Sequence, residues 1–158
     1  MNFVITFHLF AKESKIIALI ISGKYSMFSD KLMPRFSDTD ALGHINNTLL
    51  PVWFEGARDP IFRFFMPELD TNNWQLILAK IDVEFHAQLY YGKEIEIRSY
   101  IGRIGGSSFT VYQEAWQKST KCASGTAVMV HFCFENQSSL KIPETIKAKM
   151  KSHLFVTE

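Results

Sequence analysis

The chain is short of most features that would announce a function. It has two cysteines in 158 residues, Cys122 and Cys133. They form neither a CxxC pair nor any spacing suited to a metal, which excludes a disulfide scaffold and a zinc module and predicts free thiols in a reducing compartment, hence the cytoplasm. Charge of one sign is also missing: 17 Lys and Arg against 16 Asp and Glu leave a net +1, so no nucleic-acid or acidic partner is indicated. No apolar run approaches the roughly 20 residues of a membrane-spanning helix. Repeats, linkers and low-complexity tracts are absent. One ordinary domain is what this length allows.

What is abundant is phenylalanine. There are 14 of them, and aromatics reach 14% of a chain that is otherwise 47% hydrophobic and 21% charged. That supply suits a large core, an oligomer interface or an apolar ligand tunnel.

Residues 1–26 stand apart. Two apolar runs, Phe3–Phe10 and Ile16–Ile21, are divided by Lys12-Glu13-Ser14-Lys15. The first charge follows the first apolar run, opposite to a secretory signal. Two expectations remain: an arm packed on the domain, or an upstream extension with the functional start at Met27. A self-contained pattern begins near Met27 and favours the second, leaving 27–158 as a single domain.

That pattern opens with a strand expected at Leu32–Ser37, then the stretch Arg35-Phe-Ser-Asp-Thr-Asp-Ala-Leu-Gly-His-Ile-Asn-Asn47. It holds two carboxylates (Asp38, Asp40), an imidazole (His44), a glycine (Gly43) and two amides (Asn46, Asn47). An apolar run follows to about Met66, read as a helix capped by Asn46 or Asn47. Backbone N–H groups and the positive end of the dipole at such a terminus suit an anion or a carbonyl oxygen. The helix is apolar on most of its circumference, so it is expected to be buried. Its polar stripe suggests ion pairs Glu55–Arg58 and Asp59–Arg63. Pro60 is expected to kink it or end it early.

Beyond Asn73 the period changes to two. Short strands are expected at Trp74–Ala79 and around Ile81–Phe85, then at Glu94–Ile104, Ser108–Gln117 and Ala123–Glu135, with Gly105-Gly106 as a turn or bulge. Pro143 opens a terminal helix, Glu144–His153. The order implies an α+β domain: a helix on a curved antiparallel sheet whose edges invite a second subunit.

The motif at 35–47, with Trp53-Phe54-Glu55-Gly-Ala-Arg58, Gly92-Lys93-Glu94-Ile95-Glu96-Ile97 and Arg103-Ile-Gly-Gly-Ser-Ser-Phe109, resembles the hotdog-fold thioesterases of the 4-hydroxybenzoyl-CoA thioesterase type. The similarity runs from about Leu32 to Leu154. It implies a long central α-helix wrapped by a curved antiparallel β-sheet, in homodimers or homotetramers with active sites at subunit interfaces. It also implies hydrolysis of an acyl-CoA thioester, with coenzyme A as part of the substrate and no other cofactor or metal. Asp40, the second acid of the Asp-x-Asp pattern, would be the general base or a nucleophile. Amides around Gly43, Asn46 and Asn47 would polarise the carbonyl. His44 matches the Gly-His-x-Asn-Asn version of the motif and stands between catalytic helper and structural hydrogen-bonder. Asp38 reads as a turn or cap carboxylate, and His86, His131 and His153 as structural or exposed. For the phosphates of coenzyme A, Arg103 and the Gly106-Ser107-Ser108 turn are candidates, with Lys93, Arg98 and Lys141 behind them. A non-catalytic acyl-CoA-binding protein and a thioesterase acting on acyl carrier protein are the alternatives.

Overall fold

A computed structural model describes residues 26–155. The expected N-terminal arm or extension lies outside the described residues, apart from Ser26. The elements are β1 (Phe28–Leu32), a 3-10 turn (Phe36–Asp38), helices α1 (Leu49–Gly56) and α2 (Asp59–Phe62), a second 3-10 turn (Thr71–Asn73), β2 (Leu76–Phe85), β3 (Ile95–Ile104), β4 (Ser108–Gln117), β5 (Thr120–Cys133), β6 (Ser138–Ser139) and α3 (Glu144–Lys151). The sheet is antiparallel in the order β1-β3-β4-β5-β2, with β6 added to β5. This is the expected α+β arrangement, a curled sheet carrying a helix on one face. Among the described residues no helix is long and apolar enough to cross a membrane.

The alternation in the sequence determines which face of the sheet is covered. Ile95, Ile97, Ser99 and Ile101 of β3 are fully buried, while the intervening Glu96 and Arg98 are partly exposed and pair with each other at 2.8 Å. On β4, Phe109, Val111, Gln113 and Ala115 are buried in the same way. Two apolar clusters result. One gathers Ile61, Phe62, Phe65 and Met66 with Phe109, Met129, Ile142 and Met150. The other joins Leu50, Phe54 and Ala57 of the α1 region to Ile45, Leu89, Ile95, Ile97 and Ala123. Both cysteines are free thiols; Cys122 belongs to the second cluster, and burial pushes its thiol up.

Several local expectations are corrected. The first strand lies earlier, at Phe28–Leu32, because the Arg35–Asp38 segment curls into a 3-10 turn with Asp38 N–H bonded to Arg35 O. The two strands expected between Trp74 and Phe85 are one, β2, with a bulge between Leu78 and Lys80. The long helix is two: Pro60 has no N–H to offer the carbonyl of Gly56, where α1 stops, and it sits comfortably in the first turn of α2. The break also undoes the expected ion pairs. Arg58 turns inward to 2% exposure, and Arg63 donates instead to Pro67 O at 2.6 Å. Nor is α1 buried all round, since Val52 is 60% exposed.

Helix α1 lies very close to β5. A Cβ on Gly125 would meet Asp82 O at 2.6 Å and Phe54 Cε2 at 2.9 Å, so only glycine admits the Phe54 ring there.

The two ends of the domain meet at His153. Its Nδ1 lies 2.7 Å from Ser26 Oγ, and its ring stacks on Phe28 at 4.2 Å, with Phe64 at 5.7 Å. Burial lowers its pKa, only partly offset by the Ser26 carbonyl. The unfolded chain therefore takes a proton more readily than the folded one, and stability falls as pH drops below about 6.5. Thermal melts at about pH 7.5 and about pH 5.5 should show a loss of Tm on acidification that shrinks in His153→Phe, which keeps the stacking and cannot titrate. An equal loss in the variant would remove His153 from the acid response.

Candidate active site

Residues 39–45 form a miniature hairpin. Thr39 and Ile45 pair as an isolated antiparallel bridge, and Asp40 N–H donates to His44 O at 2.8 Å. Gly43 closes the turn at φ 77°, a conformation that a side chain would strain, and its N–H donates to Asp40 O at 3.1 Å. The Asp40 carboxylate is held inside this turn: Oδ1 accepts the Leu42 N–H at 2.8 Å and the His44 N–H at 3.1 Å. Oδ2 has no partner among the described residues. One carboxylate oxygen is thus fixed by two backbone donors while the other stays open.

Asp38 has a different task. Its Oδ2 accepts the Arg35 N–H at 2.7 Å and its carbonyl accepts the Asn46 N–H at 2.8 Å, so it ties the two arms of the loop together. Asn46 does not cap α1 in the expected way. Its Oδ1 accepts from Thr48 N–H and Thr48 Oγ1 at 3.0 and 2.9 Å, a local turn, and the residue before the helix is Thr48, whose side chain makes no capping bond.

The amides expected to face a carbonyl are mostly engaged. Gly43 N–H goes to Asp40 O, His44 N–H to Asp40 Oδ1, Ile45 N–H to Leu89 O and Asn46 N–H to Asp38 O. The Asn47 N–H has no acceptor among the described residues.

This loop, the start of α1 and the β2–β3 connection enclose a cleft of about 670 Å³. Of the sequence-predicted residues it brings together Asp40, His44, Asn46 and Asn47. Its far wall, Phe85 to Leu89, was not anticipated from the sequence. Phe85 read only as an alternating strand residue and His86 as structural; the signal that could have found them is their place at the end of a half-buried strand, just before a turn. Phe85 is 55% exposed, and His86 Nε2 lies 2.8 Å from Ser124 Oγ. The His44 ring makes an edge contact with Tyr90 at 5.4 Å, and Lys93 Nζ lies over Tyr90 at 4.9 Å. Buried Gln117 holds that turn by accepting Tyr90 N–H and donating to Tyr90 O and Lys93 O.

Arg103, Gly106, Ser107 and Ser108 are not part of the cleft. Their turn is closed by a bond from Gly105 N–H to Ser108 O and joined to β5 through His131 N–H and Ser107 O. The β2 residue opposite His131 is Leu76, whereas the cleft lies beyond Phe85 at the other end of that ten-residue strand. About 3.3 Å per residue makes the separation along the strand about 30 Å. Glu55 and Asp59 are exposed and also lie away from the cleft. Among the described residues no three His, Cys, Asp or Glu side chains are grouped as metal ligands.

The sequence model of the thioesterase-like superfamily matches residues 34–150. A predicted thioesterase from Bacillus stearothermophilus, known from its structure, is 38% identical with a TM-score of 0.81, covering 84% of this chain and all of that one. The uncharacterised protein YsmA of Bacillus subtilis (strain 168) is 27% identical over 110 residues, 69% of this chain and 75% of YsmA. A thioesterase from Thermus thermophilus, solved with coenzyme A and Zn, shares the fold at a TM-score of 0.70 and 23% identity, over 77% of this chain and 95% of that one. A family match over most of the chain, borne by a curled sheet and a carboxylate-lined cleft, shows that the chain belongs to the thioesterase-like superfamily and is a hotdog-fold thioester hydrolase.

Proposed function

We propose that the chain hydrolyses acyl-CoA thioesters, with Asp40 as general base and the Asn47 amide as donor to the thioester oxygen. The observation that carries this reading is the asymmetry of Asp40: Oδ1 is fixed by two amides and Oδ2 is open, in a cleft that also holds an amide without an acceptor. Water attacks the carbonyl carbon as Asp40 Oδ2 takes its proton. The carbonyl oxygen gains charge and is met by the Asn47 N–H at the positive end of α1, a donor of a kind worth about 3 kcal/mol in other enzymes. Collapse of the tetrahedral intermediate expels the thiolate. The proton on Asp40 passes to that sulfur, leaving a carboxylic acid and a thiol. Gly43 and Asn46 shape the loop, and His44, set against Tyr90, lines the cleft and orients the water. Two free thiols suit a cytoplasmic location.

The coenzyme A end of the substrate is anchored across a dimer. Strand β2 is a ten-residue sheet edge with Ile77, Leu78 and Phe85 exposed, and Val52 exposed on α1. Such an edge invites a second copy. Antiparallel two-fold pairing along β2 sets the Phe85 end of one protomer beside the Leu76 end of its partner. It thereby brings the partner's Arg103–Ser108 turn to the cleft end of the first protomer, where its glycine-rich backbone and arginine receive phosphate.

Asp40→Asn keeps an Oδ1 acceptor for Leu42 and His44, so it should fold as before. It should lose at least about 100-fold in kcat on a panel of short, medium, long and aryl CoA thioesters read by free thiol. Full activity would refute the assignment. Turnover confined to acyl carrier protein thioesters would move the substrate class, and binding of acyl-CoA without turnover would make the protein a binding module. In a single turnover in ¹⁸O-water, label enters the product directly if Asp40 is a base; label retained first on Asp40 identifies an anhydride. Arg103→Ala should raise KM about tenfold for CoA thioesters and leave N-acetylcysteamine thioesters, which carry no phosphate, unchanged. Sedimentation velocity should return a dimer or a larger even assembly; a monomer that is fully active discards the shared site.

A further inference from the structure

The interior contains a polar cluster that the hydrolysis does not use. Arg58, Ser99 and Gln113 are 2%, 0% and 1% exposed, under the break between α1 and α2. Ser99 and Gln113 are cross-strand neighbours on β3 and β4. Gln113 Nε2 donates to Phe54 O at 2.8 Å and to Ser99 Oγ at 2.9 Å. Ser99 Oγ donates to Ala57 O at 3.3 Å, and Arg58 Nη1 donates to Gln113 Oε1 at 3.1 Å. Phe54 O is an orphan of the helix break, because the Arg58 N–H that would take it in a continuous helix bonds Glu55 O instead. Side chains of the sheet therefore hold the carbonyl end of α1.

Satisfying the stranded Phe54 carbonyl accounts for an amide at 113, but not for an arginine at 58. Arg58 is desolvated and forms no salt bridge among the described residues, being attracted by Glu55 only at longer range and lying over the Phe62 ring at 6.0 Å, and its Nε makes no hydrogen bond. Apolar residues of similar volume in place of buried ionic groups are often neutral or stabilising. What the polar set supplies is direction. Apolar attraction is itself non-directional, whereas three hydrogen bonds between fixed atoms add a directional constraint on both shift and rotation. The other end of this eight-residue helix, about 12 Å away, leads back in two residues to Asn47.

We propose that Gln113, supported by Arg58 and Ser99, is a positioning residue for hydrolysis: acting through the rigid body of α1, it sets where the Asn47 N–H points in the cleft. The proposal rests on the reading of Asn47 as the carbonyl donor. The Arg58→Met/Gln113→Leu double variant keeps volume and removes direction. It should stay folded by circular dichroism, with Tm lowered by about 10 °C or less because Phe54 O loses its donor. Its kcat should fall at least about tenfold with KM within about twofold, because the misplacement is felt in the transition state. Gln113→Glu, which keeps an acceptor for Arg58 and loses both donors, should be as slow as the double variant. The Asn47 amide resonance, assigned by NMR without substrate, should move in each variant. Should the double variant fail to fold, Ser99→Ala, which removes only the bond to Ala57 O and the acceptor for Gln113, carries the same measurements. Wild-type kcat in a folded variant, or an unmoved Asn47 resonance, overturns the proposal. The resonance is independent of catalysis, so an active Asp40→Asn enzyme, which would sink the mechanism, is distinguishable from a failure of the clamp.

Discussion

The close seating of α1 on the sheet is the constraint on which the rest of this domain depends. It needs glycine at 125, because any Cβ there would collide with the Phe54 ring and Asp82 O. It needs polar groups on β3 and β4 at the depth where α1 ends, because the break before Pro60 strands a carbonyl at Phe54. Once the helix is seated, Leu50, Phe54 and Ala57 complete the apolar cluster beneath the cleft, and the loop from Asp38 to Asn47 has a fixed platform to fold against.

The loop is built by the same economy. Most backbone donors in it have an acceptor among the described residues; the N–H groups of Ala41 and Asn47 do not. The carboxylate of Asp40 serves the loop with one oxygen and leaves the other without a partner among the described residues. The bond from Ile45 N–H to Leu89 O then fastens the loop to the β2–β3 connection and defines the opposite wall of the cleft. A single carboxylate thus holds the loop with one oxygen while the other stays open.

Much of this was legible in the chain. Period-two alternation located β3 and β4 to within a residue, because a strand with one face on a core and one in solvent has to alternate. Asp40, His44, Asn46 and Asn47 were found as a group, since they lie close in sequence and converge through a local turn. Phe85 and His86 were missed, and so was the inward turn of Arg58. Each depends on a partner far away in the chain: the cleft wall on pairing between β2 and β5, and Arg58 on Gln113, 55 residues later. A surface pair such as Glu55–Arg58 is the ordinary expectation at helical spacing. It gave way here because the helix is interrupted before the spacing can act.

By itself the sequence determined what local chemistry can settle. Turn-forming Asp and Gly residues, a Pro that ends a helix, alternating strands and balanced charge make an α+β domain with an acid and several amides at one helix start. Only the tertiary structure decided which of the amides from Gly43 to Asn47 has no acceptor among the described residues, which oxygen of Asp40 stays open, and that Arg103 and its turn lie at the far end of the strands from the cleft. Those are outcomes of competition among hydrogen-bond partners and of strand register. Both are set by contacts between residues distant in the chain, which no local pattern encodes.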